Sequence, residues 1–199
     1  CTINDTVAAV NYYNLDLRTA CTRPNRTFEN KGTAIGIAGS FIPGDAVCNV
    51  TNSTVEFNGE GLQECPEFTF YNLTINSAAV SNNASNIDPA NAVKLTGDVT
   101  VRNKLTFTHG ILNTDVNEVI VSNSSANAVG PGYYKSFKDA SFLVGQLTRR
   151  LPANLDGSDI STSYVYPVGN DVGYNPLTLS SITTVSGTPM VTVSSVHGS

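Results

Sequence analysis

The sequence predicts an all-β chain: a right-handed parallel β-helix (a solenoid of short coils) over residues 1–125, then a small antiparallel, sandwich-like or capping region over 126–199. Three observations lead there. Only 14% of residues are charged, and the polar remainder is mostly Asn, Thr, Ser and Gly. Strand and turn formers therefore outweigh helix formers. Between Val93 and Asn123, four short apolar alternations follow one another: Val99-Thr-Val101, Leu105-Thr-Phe107, Ile111-Leu112 and Val119-Ile-Val121. Period-two patterning broken every few residues by Gly, Asn or Asp reads as short strands with corners between them. Finally, YYNLDL at 12–17 returns as FYNLTI at 70–75, 58 positions on (70 − 12). That interval holds about three coils of roughly 20 residues each, the pattern of a stacked repeat.

In chain order, Val7 to Leu17 alternate as strand and residues 21–32 are rich in turn formers. Ile35-Gly-Ile37 and Ser40-Phe-Ile42 read as short strands ended by Pro43-Gly44-Asp45, and Val50 to Phe57 as another ended by Asn58-Gly59. Residues 78–92 form a polar, low-complexity insertion expected as a surface loop. After residue 124 the strands lengthen: Phe142-Leu-Val144, Tyr164 to Val168, Tyr174 to Leu179 and Val191-Thr-Val193, with hairpin-like turns between them. That change suggests antiparallel sheet.

The charge balance excludes some partners. A net charge of −5 with 11 scattered Lys and Arg does not make the basic patch that nucleic acid or an anionic membrane needs. No apolar run approaches the ~20 residues of a transmembrane helix. Four cysteines, Cys1, Cys21, Cys48 and Cys65, lack CxxC spacing and a histidine at ligand distance, which argues against zinc and for disulfides formed after export. Spacing of about one coil favours Cys1–Cys21 and Cys48–Cys65, with Cys1–Cys65 and Cys21–Cys48 as the nested alternative. Cys1 itself reads either as the acylated cysteine of a lipoprotein or as an internal residue of a longer chain.

Chemistry-bearing constellations are sparse. No Ser-His-Asp order accompanies a GxSxG elbow, and His109 precedes Gly110 at an expected corner. Asp98, Asp115 and Glu118, with Lys94, Arg102 and Lys104 nearby, are the acids a carbohydrate-active β-helix would draw on, but they occupy turn positions where carboxylates are ordinarily solvated. Asp156 and Asp159 loosely resemble a calcium loop without its register or distal Glu. Asn4, Asn25, Asn49, Asn52, Asn72, Asn83 and Asn123 stand in N-x-S/T sequons. Paired aromatics such as Tyr12-Tyr13, Phe70-Tyr71, Tyr133-Tyr134 and Tyr164/Tyr166 suit coil-to-coil stacking better than a sugar platform.

Five segments in order, FYNLTI (70–75), GDVTVRNKLTFTHGILNT (97–114), VIVSN (119–123), GQLTRRLP (145–152) and YVYPVGNDVGYNPLTL (164–179), resemble the repeat modules of giant surface proteins of Bacteroidota. The chain departs from that pattern at Asn175, where Arg is commoner, and in its cysteines. The resemblance implies export by the type IX route, with a sorting domain beyond Ser199, and a role in adhesion, gliding or the surface layer. It implies no catalytic residues and no cofactor. Asp5-Thr6-Val7 is similar to the O-glycosylation site of those bacteria, which makes Thr6 a candidate. The expected function is a non-catalytic structural and adhesive module, extracellular, contacting neighbouring modules, other protomers and surface glycans. A carbohydrate-active or carbohydrate-binding β-helix is the alternative.

Overall fold

The computed structural model describes residues 4–20, 24–78, 92–136, 138–159 and 161–195. The chain is all-β: among the described residues the elements are strands and one 3-10 turn, Ala126–Ala128. The first nine strands come in threes: β1 (Asn4–Val7), β2 (Asn11–Tyr12), β3 (Leu15–Asp16); β4 (Asn25–Phe28), β5 (Ile35–Ile37), β6 (Phe41–Ile42); β7 (Val47–Asn49), β8 (Thr54–Phe57), β9 (Gln63–Cys65). Longer, bent strands follow: β10 (Phe68–Asn76), β11 (Val93–Leu95), β12 (Val99–Val121), β13 (Tyr133–Ser136) and β14 (Asp139–Arg150). The rest are β15 (Ser163–Tyr166), β16 (Val168–Asn170), β17 (Gly173–Tyr174), β18 (Leu177–Ser180) and β19 (Met190–Ser194).

Most strands up to β14 pair in parallel with a counterpart one pass later. Parallel neighbours need a long crossover, and here the crossover is the remaining strands of the pass rather than a helix. One parallel path runs β2-β5-β8-β10-β12-β14-β16. Its register stacks Tyr12, Ile37, Phe57, Ile75 and Phe107 in one column. Consecutive steps are 20 residues (57 − 37) and 18 (75 − 57). The 32-residue step to Phe107 contains residues 79–91. Tyr12 thus stands level with Ile75, five residues past Phe70.

The long strands turn corners without leaving the ladder. β12 pairs with β10 through Val99–His109, with β14 through Gly110–Asn113, and with β14 again through Glu118–Val121. Gly110 (φ 89°) and Asp115 (φ 53°) mark its bends, and Gly145 (φ 110°) that of β14. Only glycine fits two of these sites. A Cβ would lie 2.3 Å from the Ser77 carbonyl oxygen at Gly110, and 2.0 Å from Oγ1 of Thr114 at Gly145.

Alternation decides the core. Val99, Val101, Leu105, Phe107, Val119 and Val121 are all buried in one cluster that reaches from Val7 to Val168. Ile111 is buried too, but in a second cluster with Ala92, Ala140 and Phe142. Leu112 takes the inward place instead. Parallel pairing continues past residue 125 through β14 and β16. The antiparallel pairs β13–β14, β14–β19, β15–β18 and β16–β17 all lie after residue 132.

The cysteines differ from expectation. Cys48 and Cys65 are free thiols, so the predicted Cys48–Cys65 disulfide is not formed. Cys65 is fully buried on β9, in register with Leu95. Cys48 sits on β7, in register with Arg26 and in a different sheet. Spacing of one coil does not bring two cysteines together unless they share a face. Cys1 and Cys21 lie outside the described residues.

Candidate functional site

The acidic residues singled out in the sequence are engaged in structural contacts. Asp98 Oδ1 accepts the Glu118 amide N–H at 3.1 Å. Glu118 Oε2 accepts the Thr148 hydroxyl at 2.6 Å, and Thr148 Oγ1 lies 2.6 Å from Thr192 Oγ1. Asp115 pairs with Lys94 at 3.0 Å. Nδ1 of His109 meets the Ser77 carbonyl at 2.8 Å, so the ring donates there. Asp156 and Asp159 cap local turns: Asp156 accepts from the amide and hydroxyl of Ser158, and Asp159 from Ser161 and Thr162. Those bonds hold both carboxyls below the usual range. Among the described residues no three His, Cys, Asp or Glu side chains gather as a metal site. Thr6 is exposed on β1, level with Thr27.

The asparagines form ladders. Asn103 Nδ2 donates to Asn72 Oδ1 at 2.7 Å, and Asn123 Nδ2 donates to Asn103 Oδ1 at 3.2 Å. Three successive passes are thereby linked side chain to side chain, and the sequon residues Asn72 and Asn123 are both engaged. Asn49, by contrast, is exposed, and its Oδ1 caps the Thr51 amide. Asn83 lies outside the described residues.

Sequence reasoning missed an open feature, a break in the ladders. β6 pairs with β3 but not with β9, and β7 pairs with β4 but not with residues 68–70. Two adjoining grooves of about 850 and 500 Å³ occupy the break and share Phe41 and Ile42. Beneath them Phe28, Phe41, Phe57, Phe68 and Phe70 form a continuous aromatic cluster. The Phe68 ring stands 5.0 Å from Phe41 and 4.7 Å from Phe70. Gln63, buried, bridges the base of the break: its Nε2 donates to the Ile37 carbonyl at 2.7 Å and its Oε1 accepts the Gly59 amide at 2.8 Å. Exposed Glu64, Glu67, Asp98 and Arg102 border the grooves. Cys48 lines the larger groove, its thiol pushed up to about 11 by burial against a small opposing effect of Arg26. The sequence signal was present in Pro43-Gly44 and Pro66, which flank β7 and residues 68–70, but prolines mark where pairing ends without saying what opens there.

The sequence-adjacent pair Arg149-Arg150 also splits. Arg149 is fully buried. Its NH1 donates to the Val165 carbonyl at 2.6 Å and its NH2 to the carbonyls of Ser125 and Ala126 at 3.1 and 2.9 Å. The guanidinium lies 5.5 Å from the ring centroids of both Tyr164 and Tyr166. Desolvation lowers its pKa from the ordinary arginine value. Those tyrosines are thus committed to holding the end of the stack rather than to a sugar.

Compared with known proteins, the chain matches no protein-family model, no curated protein and no solved structure.

Proposed function

We propose that the parallel passes are coils of a right-handed β-helix, and that the chain is a non-catalytic structural and adhesive module of a long extracellular surface protein, of the Bacteroidota type IX kind it resembles. The observation that carries this reading is the stacking itself. One parallel path runs through seven strands from β2 to β16, and asparagine ladders cross-link its passes. Right-handed crossovers are the rule for parallel neighbours. Such a stack suits a stalk that presents Asn, Thr and Ser to glycans, to neighbouring modules or to other protomers. The acids a carbohydrate-active enzyme would use are instead engaged in turn and ladder contacts.

The test uses beads coated with the purified chain. Greater retention on polysaccharide- and protein-coated surfaces than albumin-coated beads is the expected result, with no release of reducing ends from a polysaccharide panel. Turnover of any polysaccharide, or retention no better than albumin, overturns the reading.

A further inference from the structure

We propose that the break in the ladders is a strand-binding slot: it takes an extended polypeptide segment carrying basic side chains, which pairs with the open strand edges. The inference concerns the cleft alone and does not depend on the chain being adhesive.

The edges follow from the hydrogen bonds that are made. In a parallel pair, alternate residues turn both their N–H and C=O toward the same neighbour, and the residues between them face the other side. Val47 N donates to Pro24 O, so on β7 the residues facing β4 are Val47 and Asn49. The N–H and C=O of Cys48 therefore face the larger groove. Leu15 and Leu17 donate to the carbonyls of Ser40 and Ile42, which turns the backbone of Phe41 away from β3 and into the break. Across from it, Gln63 N donates to Ala92 O and Thr96 N to Cys65 O. Gln63 and Cys65 are thus committed to β11, and the backbone of Glu64 faces β6. Phe41 and Cys48 on one wall and Glu64 on the other each offer a donor and an acceptor that no strand among the described residues takes up.

Those groups specify the occupant. Main-chain donors and acceptors on strand edges bind an extended polypeptide by adding a strand, and such recognition tolerates many sequences. The half-buried Phe68 ring, beside buried Phe41, gives the floor an apolar patch that accepts an inward side chain of an alternating segment. The rim selects charge. Glu64, Glu67 and Asp98 outnumber Arg102, so lysine or arginine on the incoming segment is favoured.

The probe is an end-blocked nonapeptide of alternating threonine and valine with a lysine at each end. Cys48 lines the groove and supplies the readout: its alkylation by N-ethylmaleimide, followed by peptide mass spectrometry, should slow at least fivefold at saturating peptide. The same peptide with alternate amides N-methylated keeps every side chain but loses donors, and should not protect. Replacing its lysines with glutamates should weaken binding at least threefold, as should Glu64→Gln combined with Glu67→Gln. Cys48→Pro removes the N–H aimed into the groove without touching a bond to β4. It should weaken binding at least tenfold by fluorescence anisotropy, with an unchanged circular dichroism spectrum. If that variant does not fold, the N-methylated peptide on the natural chain decides the same point. Equal protection by the N-methylated peptide, no protection by the parent peptide, or protection by oligogalacturonate in place of peptide overturns the proposal.

Discussion

Asn103 is the middle rung of the asparagine ladder. It donates to Asn72 on the preceding pass and accepts from Asn123 on the following one. Asn103→Ala removes both bonds. Asn123 Nδ2 keeps a partner in the Asn103 carbonyl oxygen at 3.1 Å, whereas Asn72 Oδ1 loses the donor given above. A net hydrogen bond is worth about 1 kcal/mol, so the loss should be about 2 kcal/mol. For a chain of this length that corresponds to a fall in Tm of roughly 4–8 °C. Asn103→Asp should cost more, because it sets a carboxylate oxygen against Asn72 Oδ1, acceptor to acceptor. Urea unfolding followed by circular dichroism measures each, with exposed Asn30→Ala as a control expected within about 0.5 kcal/mol of the natural chain. A double-mutant cycle with Asn72→Ala should give a coupling of at least about 0.5 kcal/mol. If Asn103→Ala is as mild as the control and additive with Asn72→Ala, the ladder does not couple the passes and the reasoning fails.

Two other outcomes are expected. Arg149→Met should destabilise by about 2–4 kcal/mol in urea melts, because three carbonyls lose a charged donor while the core regains only the cost of desolvating one cation; Arg149→Lys, lacking the fork, should recover at most part of it. Stability should fall as pH rises above about 9, where cysteine ionises in the unfolded chain. Burial raises the folded pKa of Cys65, so its contribution is complete below the unfolded value and is lost as pH climbs toward the folded one. That loss proceeds at about 1.4 kcal/mol per pH unit. The slope of urea-derived stability between pH 9 and 10 should flatten in Cys65→Ala, and an unchanged slope would show that this thiol is not the group responsible.

What the sequence conveyed was the inward or outward sense of each residue. Val99, Val101, Leu105 and Phe107 are buried as alternation requires. Gly110 and Asp115 bend the chain where polar breaks were read. Alternation fails where two apolar residues adjoin: Ile111 and Leu112 are both buried, and nothing local says that Leu112 faces the main core while Ile111 faces Phe142. It fails again for partners. Cys48 and Cys65 were matched by distance along the chain, but contact depends on which face each pass presents. Asparagines that read as turns and sequons proved to be rungs of a ladder, because Asn103 and Asn123 meet only once the passes are stacked. Arg149 stands beside Arg150 in the sequence with nothing local to mark it as buried, and only the return of β15 places Val165 and two tyrosine rings around it.

The break in the ladders is the feature least legible in the sequence, and its energetics explain why it can exist. Opening β6 from β9 and β7 from residues 68–70 forgoes a few backbone hydrogen bonds, each worth about 0.5–1.5 kcal/mol net. The groups released face open grooves, so water takes up their bonds and the heavier penalty of a dry, unpaired amide does not arise. Phe41 and Phe68 pack edge to face across the gap, with Phe28 and Phe70 against Phe68, and aromatic pairs return about 0.5–1.5 kcal/mol each beyond their burial. Gln63 adds amide bonds across the base. The two sides come close to cancelling, so a stack of parallel strands can hold an open edge at little cost in stability. Such an edge ordinarily invites aggregation. Here Pro43 and Pro66 bracket it, and Glu64, Glu67 and Asp98 ring it with negative charge. The same guards leave room for one short basic strand, the occupant proposed above.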